Sequence, residues 1–447
     1  MHDGGGGTDN LVKIFANIFI SFIGAGVLGL PYAFREAGVI EGVLIMACVG
    51  VLSVKSMLLI IDSKYRILGQ SPHGEAHQQE QEELMMNSVE MNGIISEEEE
   101  KTQTDQTKTS VHEIDYGEVG YHAMGTLVTY GRCFCCAYLI FIIENLSSFV
   151  HEMHMYQWLF IILPPLAFLT LIRKLHKLAI FSLFADFANV TAYAVVFWFD
   201  FEHASKITIH PKAMSFKGFP FFLGISIYCY EGAGMILSLE SSVIKEKRHR
   251  FRSVFIFTMF VVTSLYIFFG VCGYLSFGAE TENIITLNLP AGLFPILVKT
   301  CLCFSLYFTY PVMMFPVVKL LEKRLLPDNK DKSYLQGNIL RFIMVTVTGL
   351  VVLAIPNFST LMALVGASCC TLLAFILPAI FHLRIFKGSL NKKQLFLDYF
   401  LITVGVVGTV IGTWDALKRL FPSLAGTSTV VMDTLISTSP SLNTSVS

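Results

Sequence analysis

The stretch that decides the fold is Ser21-Phe-Ile-Gly-Ala-Gly-Val-Leu-Gly-Leu-Pro31, which lies in the first apolar segment of the chain. It carries glycines and a proline at positions where a continuous membrane helix usually has larger aliphatic residues. Glycine accepts almost any backbone geometry and proline removes a backbone donor, so this stretch is suited to unwinding. Unwound backbone at membrane depth is tolerated only where it is buried in protein or lines a cavity. The stretch is therefore either a candidate ligand site or a close helix contact made through small residues.

A second copy of the pattern is Tyr228-Cys-Tyr-Glu-Gly-Ala-Gly-Met-Ile-Leu-Ser-Leu-Glu240. Both segments contain Gly-Ala-Gly near the middle of an apolar span, at Gly24–Gly26 and at Gly232–Gly234. Glycine-interrupted segments at corresponding places in two halves of a chain are typical of transporters built from inverted repeats. We therefore predict paired helix breaks at Gly24 and Gly232.

Composition places the chain in a membrane class. Of its 447 residues, 53% are hydrophobic and 15% are charged. The formal net charge of −2 offers no surface for a polyanion, so a nucleic-acid partner is excluded. All ten cysteines fall in apolar segments and are interpreted as small packing residues. We expect no disulfide framework, no metal site and no cofactor.

Apolar runs of about twenty residues predict membrane helices. Eleven such runs occur, at residues 11–35, 38–62, 124–149, 155–172, 178–200, 218–240, 253–277, 292–320, 338–355, 358–384 and 395–417. The predicted organisation is a short cytoplasmic N-terminus (1–10), helices 1 and 2 (11–62), an acidic disordered cytoplasmic loop (63–123), helices 3 to 11 (124–420) and a Ser/Thr-rich lumenal tail (421–447).

Lysine and arginine set the predicted orientation. The connections after the even-numbered helices are the basic ones, which predicts a cytoplasmic N-terminus and a C-terminus outside or in a lumen. The acidic loop is a solvated spacer or carries a weak sorting signal at 80–85. Asn145, Asn357 and Asn443 begin glycosylation sequons at or beyond outward-facing ends, and Asn443 is expected to be the most accessible.

The two predicted breaks suggest complementary chemistry. A break at Gly24–Gly26 leaves free N–H groups and a positive helix end, which suit a carboxylate. A break at Tyr230–Gly232 leaves free carbonyls, which suit an ammonium group or a metal cation. Together they match the head group of a zwitterionic amino acid. The predicted substrate contacts are Gly24, Ala25, Gly26, Val27, Leu28, Tyr228, Tyr230, Glu231 and Gly232.

Polar groups inside the spans are candidates for ion coupling, because an intramembrane acid is costly. Glu231 could bind freed amides, the substrate or a transported proton, or could only tie the broken backbone together. Asp186 could be a coupling-ion ligand or could bond a neighbouring helix. Ser305 and Thr309 could offer hydroxyls to a cation or could bond within their own helix. Lys55 could snorkel or pair with Glu240 and has no transport role.

The motifs quoted above resemble the amino acid/auxin permease family, and within it the plant vacuolar amino-acid exporters and the animal proton-coupled amino-acid transporters. Ser182–Asp186, Tyr116–Gly120 and Leu377–His382 are similar as well. The resemblance implies an all-α membrane protein with a LeuT-like fold. In that fold five helices are followed by an inverted repeat of five more and a final eleventh, and substrate lies between the broken helices 1 and 6.

The predicted function follows from the breaks and the resemblance. It is secondary active transport of small neutral amino acids by alternating access, coupled to protons or to sodium and directed toward the cytosol. The resemblance implies a vacuolar or lysosomal membrane, with the plasma membrane as the alternative. A different class of function is an amino-acid sensor or scaffold of the same fold without productive transport. An enzyme is excluded, because no nucleophile–base or metal-ligand constellation stands outside these motifs.

Overall fold

The computed structural model describes residues 10–69, 116, 119, 132–148, 153–171, 190–199, 212–244, 247–290, 292–325, 330–355 and 357–421. The regular secondary structure in these ranges consists of helices. They are α1 Leu11–Phe22, α2 Leu30–Ala37, α3 Val39–Ile67, α4 Arg132–Ser147, α5 Met155–Thr170, α6 Val190–Phe199, α7 Phe219–Cys229, α8 Ile236–Ser241, α9 Arg248–Phe277, α10 Leu293–Leu325, α11 Lys330–Ala354, α12 Phe358–Val365, α13 Leu377–Ile385 and α14 Lys392–Leu420.

Many of these helices are long and apolar enough to cross a membrane. Six helical stretches in the described ranges could each cross a bilayer: α3, α9, α10, α11, α14 and the continuous run from α12 through α13. The bent pair α1 and α2 would be a seventh span. The shorter apolar helices are α4, α5, α6 and α7. Each of the predicted apolar runs overlaps a described helix, but the count of eleven spans stays a prediction.

Helix α14 turns apolar side chains outward and small residues inward. On α14, Val410 and Trp414 are exposed, whereas Gly405, Gly408 and Gly412 are buried. A Cβ atom at Gly405 would meet Ile376, and one at Gly412 would meet Ala367. Lipid is as apolar as leucine, so helix contacts in a membrane depend on close packing of small residues. The interior of the protein therefore lies against the face of α14 that carries these glycines.

The helix that joins α12 to α13 is unusually wide. Its middle forms two π-helical stretches, Gly366–Cys370 and Leu372–Ile376. The Thr371 hydroxyl donates to the Gly366 carbonyl over 2.7 Å, five residues back. A Cβ atom at Gly366 would overlap the Gly224 carbonyl, so the backbones of the first π-helical stretch and α7 are in direct contact. The π-helical turns therefore lie beside the helix that leads into the second Gly-Ala-Gly.

Candidate functional site at the paired helix breaks

The first break lies where the sequence predicts it. Helix α1 ends at Phe22, and Gly24 has an extended backbone with φ −116° and ψ 178°. The chain then forms a short 3-10 turn over Ala25–Gly29 before α2 begins. The two halves of this span meet at an angle of 50°. The glycines and the proline thus interrupt the span, as their conformational properties predict.

The second break also lies where the sequence predicts it. Helix α7 ends at Cys229, and Glu231 and Gly232 have no regular structure. A turn follows, in which the Met235 amide donates to the Gly232 carbonyl over 3.0 Å. Helix α8 then starts at Ile236 and is only six residues long.

The two breaks touch each other. A Cβ atom at Gly26 would lie 3.1 Å from Tyr228 Cδ1 and 3.2 Å from Cys229 Sγ. A Cβ atom at Gly232 would overlap the Phe22 ring. Gly26 and Gly232 therefore serve a close contact through small residues, which the sequence analysis gave as the alternative to a ligand site. By contrast, no atom of the described residues lies within 4 Å of a Cβ position at Gly24, so among those residues the backbone there borders open space.

The other predicted residues of the first break lie in the interior. Ala25 is buried, and Val27 and Leu28 are 1% and 0% exposed. Their side chains belong to the hydrophobic core, so only their backbone groups are placed to serve a polar ligand. The Val27 amide already donates to the Gly24 carbonyl over 3.2 Å. The amides of Ala25 and Gly26 come first in the 3-10 turn and so have no acceptor within it.

Tyrosine hydroxyls that the sequence analysis missed bind carbonyls at both breaks. Tyr266 of α9 donates to the Phe22 carbonyl over 2.5 Å, and its hydroxyl lies 3.2 Å from the Cys229 carbonyl. Tyr193 of α6 donates to the Gly24 carbonyl over 2.7 Å. A tyrosine within an apolar span needs a partner for its hydroxyl. That requirement was a usable sequence signal, although it does not reveal which carbonyl is bound.

The predicted contacts Tyr228 and Tyr230 are both buried. Tyr228 packs against Gly26, as described above. The Tyr230 hydroxyl donates to Thr263 Oγ1 over 2.9 Å and lies 3.3 Å from the Met46 carbonyl. Its polar end therefore points to α9 and α3, and in this structure it ties the second break to those helices.

Glu231 binds the backbone that the second break frees. Its carboxylate accepts hydrogen bonds from the amides of Ala233 and Gly234. Its Oε2 atom is buried and has no hydrogen-bond partner among the described residues. Cys369 and Cys370 of the π-helical segment lie within electrostatic range of this carboxylate. Glu231 thus organises the break with one part of its carboxylate and keeps an acceptor available.

The remaining coupling candidates are not assembled at the breaks by the described contacts. Thr309 donates to the Ser305 carbonyl over 2.9 Å, which is bonding within its own helix. Ser305 is fully buried on α10, a helix that packs mainly against α4. Asp186 lies outside the described residues. No group of three or more potential metal ligands occurs among the residues that the structure describes.

The prediction for Lys55 and Glu240 needs correction. Lys55 is exposed, and the buried Glu240 instead pairs with Lys64, about two and a half turns further along α3. The Tyr65 hydroxyl also donates to Glu240 over 2.5 Å. The spacing of apolar residues could not decide between these two lysines on one helix. The pair fixes the end of α8 to the end of α3.

The expectation for the Asn145 sequon was wrong. Asn145 is fully buried on α4, where its side-chain amide donates to the Phe141 carbonyl over 2.9 Å. Its Oδ1 atom accepts from Thr286 over 2.7 Å. Thr286 belongs to the 3-10 turn Ile285–Asn288, which contacts the turn Ala25–Gly29 of the first break. Asn145 therefore holds a loop against the first break instead of facing outward.

Asn357 also has a structural role. Its side chain caps α12 by accepting from the Thr360 amide over 2.9 Å. Asn443, the third sequon, lies outside the described residues, as do most of the acidic loop and the tail.

Several membrane-length helices, together with two helix breaks that touch each other in the described part of the chain, are typical of a multi-pass membrane transporter. Comparison with known proteins gives the family. The chain matches the family described as "Transmembrane amino acid transporter protein" over residues 7–80 and 94–418, and it belongs to that family. Because the family consists of transporters, membership also confirms that the chain is not an enzyme.

Curated relatives in Arabidopsis thaliana match nearly the whole chain. Amino acid transporter AVT3B is 34% identical over 440 residues, covering 92% of this chain and 93% of the relative. Amino acid transporter AVT3C is 33% identical over 449 residues, covering 92% and 91%. Amino acid transporter ANT1 is 32% identical over 449 residues, covering 92% and 93%. The predicted resemblance to the amino acid/auxin permease family is thereby confirmed.

Proposed function

We propose that this chain is a secondary active transporter of neutral amino acids that works by alternating access. It lies in the membrane of a vacuole or lysosome, couples transport to protons and moves substrate toward the cytosol. The names of its relatives support the amino-acid class. Small neutral amino acids are the proposed substrates, and the residues that follow Gly24 in the first break are buried core residues.

The proposed fold has eleven helices, with five followed by an inverted repeat of five more and a final helix. In this scheme α1 and α2 form helix 1, and α7 and α8 form helix 6. The helices α12 and α13 form helix 10, and α14 is helix 11. The acidic segment between helices 2 and 3 is a cytoplasmic loop, and the tail after helix 11 is lumenal.

The observation that carries the proposal is the contact between the two breaks beside open space at Gly24. The amides of Ala25 and Gly26 are the proposed donors for the substrate carboxylate, because they begin a helical segment without acceptors of their own. The region from Tyr228 to Gly232 faces them and contributes the Glu231 carboxylate for the ammonium group. Val27 and Leu28 close the site from the apolar side.

Coupling is proposed to depend on Glu231. A carboxylate surrounded by protein is costly when charged, so uptake of a proton there is a natural way to change the site's charge. Its buried Oε2 atom, which has no hydrogen-bond partner in the described part of the chain, supports this role. Asp186, Ser305 and Thr309 stay as further coupling candidates, with sodium as the other possible ion.

The proposal is tested with the purified full-length protein in liposomes. Uptake of radiolabelled L-alanine is measured with and without an inwardly directed proton gradient, and empty liposomes serve as the control. We expect saturable uptake that the gradient accelerates and that a protonophore abolishes. Binding of L-alanine by the same preparation without uptake would reject transport and favour a sensor or scaffold of the same fold.

A further inference from the structure

Tyr266 lies where the two breaks converge. It is a residue of α9 and is 0% exposed. Its hydroxyl is 2.5 Å from the Phe22 carbonyl oxygen and 3.2 Å from the Cys229 carbonyl oxygen. Phe22 is the last residue of α1, and Cys229 is the last residue of α7. One phenol therefore contacts the final carbonyl of each helix before its break.

These two carbonyls lose their helical partners because of the breaks. In a continuous helix a carbonyl accepts from the amide four residues later. The corresponding amides belong to Gly26 and Ala233, which lie beyond the breaks and outside α1 and α7. The Ala233 amide donates instead to the Glu231 carboxylate. A buried carbonyl without a donor is unfavourable, so a donor from a third helix is needed.

The phenol has a single proton for two acceptors. It can serve both only while the two carbonyls stay close together, so its hydrogen bonding depends on the gap between α1 and α7. The ring itself is held by the Tyr230 ring, whose centroid is 5.4 Å away. The same gap sets the contact of Gly26 with Cys229 and the contact of Gly232 with Phe22.

We propose that Tyr266 is a positioning residue of the amino-acid site, which fixes the separation of the two breaks by bridging the Phe22 and Cys229 carbonyls. The inference rests on the proposed function in taking the two breaks as the two sides of that site. Tyr193 has a different place, because its hydroxyl donates to the Gly24 carbonyl of the first break and, among the described residues, bridges to no carbonyl of the second. Tyr266 contacts both sides, so its loss should change how well substrate fits.

The first experiment compares uptake of L-alanine by wild type, Tyr266→Phe and Tyr274→Phe in liposomes. Tyr274 is a matched control, since it is a buried tyrosine of the same helix whose hydroxyl accepts from the Lys212 amide, away from the breaks. We expect Tyr266→Phe to raise KM at least tenfold while Vmax per folded protein changes less than threefold. Tyr274→Phe should keep the wild-type KM. A lower Vmax at unchanged KM for Tyr266→Phe would show a merely structural role and would overturn the proposal.

Two tyrosine analogues at position 266 distinguish the loss of the hydrogen-bond donor from a change in the size of the side chain. Tyr266→p-aminophenylalanine keeps an N–H donor at the same position, whereas Tyr266→4-methylphenylalanine keeps only the size. We expect the first to restore KM to within threefold of wild type and the second to match Tyr266→Phe. This pair also replaces Tyr266→Phe if that variant does not fold. Equal KM values for the two analogues would overturn the proposal.

A second readout does not depend on transport. In a background where Cys229 is the only cysteine, its reaction rate with a membrane-permeant maleimide reports the gap, because Cys229 lies against Gly26. We expect Tyr266→Phe to accelerate the reaction at least fivefold and Tyr274→Phe to leave it unchanged. A wild-type rate in Tyr266→Phe would overturn the positioning role. If wild type takes up no L-alanine, the proposed function fails, and the maleimide rate still decides the role of Tyr266.

Discussion

The two Gly-Ala-Gly motifs have the same sequence, but the glycine that packs against the other break is the last residue in one motif and the first residue in the other. In the first motif the leading glycine, Gly24, borders open space, and the trailing glycine, Gly26, packs against Tyr228 and Cys229. In the second motif the leading glycine, Gly232, packs against Phe22, and the trailing glycine, Gly234, has open space around it. One glycine of each motif thus serves the contact between the breaks, and the other does not.

The segments after the two breaks differ at their far ends. Helix α2 ends beside the start of α3, whereas α8 ends beside Lys64 near the end of α3. Since α3 has 29 residues, these two ends lie on opposite sides of the molecule. Glu36 of α2 pairs with Arg419 over 3.1 Å with both side chains about a quarter exposed, while the Glu240–Lys64 pair is almost completely buried. The two sides of the site are therefore held by ion pairs that differ greatly in burial.

The packed glycines should be the least tolerant positions. Gly26→Val and Gly232→Val each place a branched side chain where Tyr228, Cys229 or Phe22 already lies, and overpacking costs about 1–3 kcal/mol even where neighbours can shift. We expect both variants to insert in the membrane and to lose L-alanine uptake completely. Uptake per inserted protein, quantified by surface or vacuolar abundance, checks this. Wild-type uptake in either variant would remove the contact between the breaks from the mechanism.

Loss of the ion pairs at the far ends of α2 and α8 should have the second-largest effect. Lys64→Met leaves Glu240 buried without its cation, and breaking a buried pair from one side costs about 3–5 kcal/mol. Arg419→Met removes two partly exposed pairs, with Glu36 and Asp415, each of which is worth about 0–1 kcal/mol. We expect a much lower unfolding midpoint for Lys64→Met than for Arg419→Met in detergent thermal melts. Equal midpoints would contradict the difference between the two sides.

The sequence predicted the positions of the breaks but not their contacts. Glycine and proline act on the local backbone, so Gly24 and Gly232 could be read from the chain directly. Contacts between residues far apart in sequence decide which glycine of each motif is packed. The same holds for the binding of the freed carbonyls by Tyr193 and Tyr266. Lys55 and Lys64 illustrate the same limit, because both lie on α3 and only the packing of α8 selects Lys64 as the partner of Glu240.

Glu231 tests whether the second break also couples transport. In Glu231→Gln the amide oxygen can still accept from Ala233 and Gly234, while an NH₂ group replaces the unpartnered oxygen. We expect weaker but still saturable L-alanine binding, because the ammonium group loses a charged partner, and we expect the acceleration of uptake by a proton gradient to disappear. Uptake with and without the gradient measures this, and Asp186→Asn is the comparison. If both variants keep the full gradient effect, neither acid couples transport, and a sodium site becomes the next hypothesis.

Substitution of Gly24, one of the two glycines outside the contact between the breaks, should have the smallest and most selective effect on transport. Gly24 has an extended backbone that any residue can adopt, so Gly24→Ala adds one methyl group to open space without strain. If that space receives substrate, the methyl group should weaken binding of larger amino acids, because a methyl-sized change in a pocket is worth about 1–3 kcal/mol. We expect KM for L-leucine to rise about tenfold and KM for glycine to change less than twofold, at about 1.4 kcal/mol per tenfold.

Gly234→Ala is the matched control, since it adds the same methyl group at an exposed position of the other motif and should leave both KM values unchanged. Equal effects of the two alanines, or none from Gly24→Ala, would place the substrate away from Gly24 and leave the first break with a packing role only.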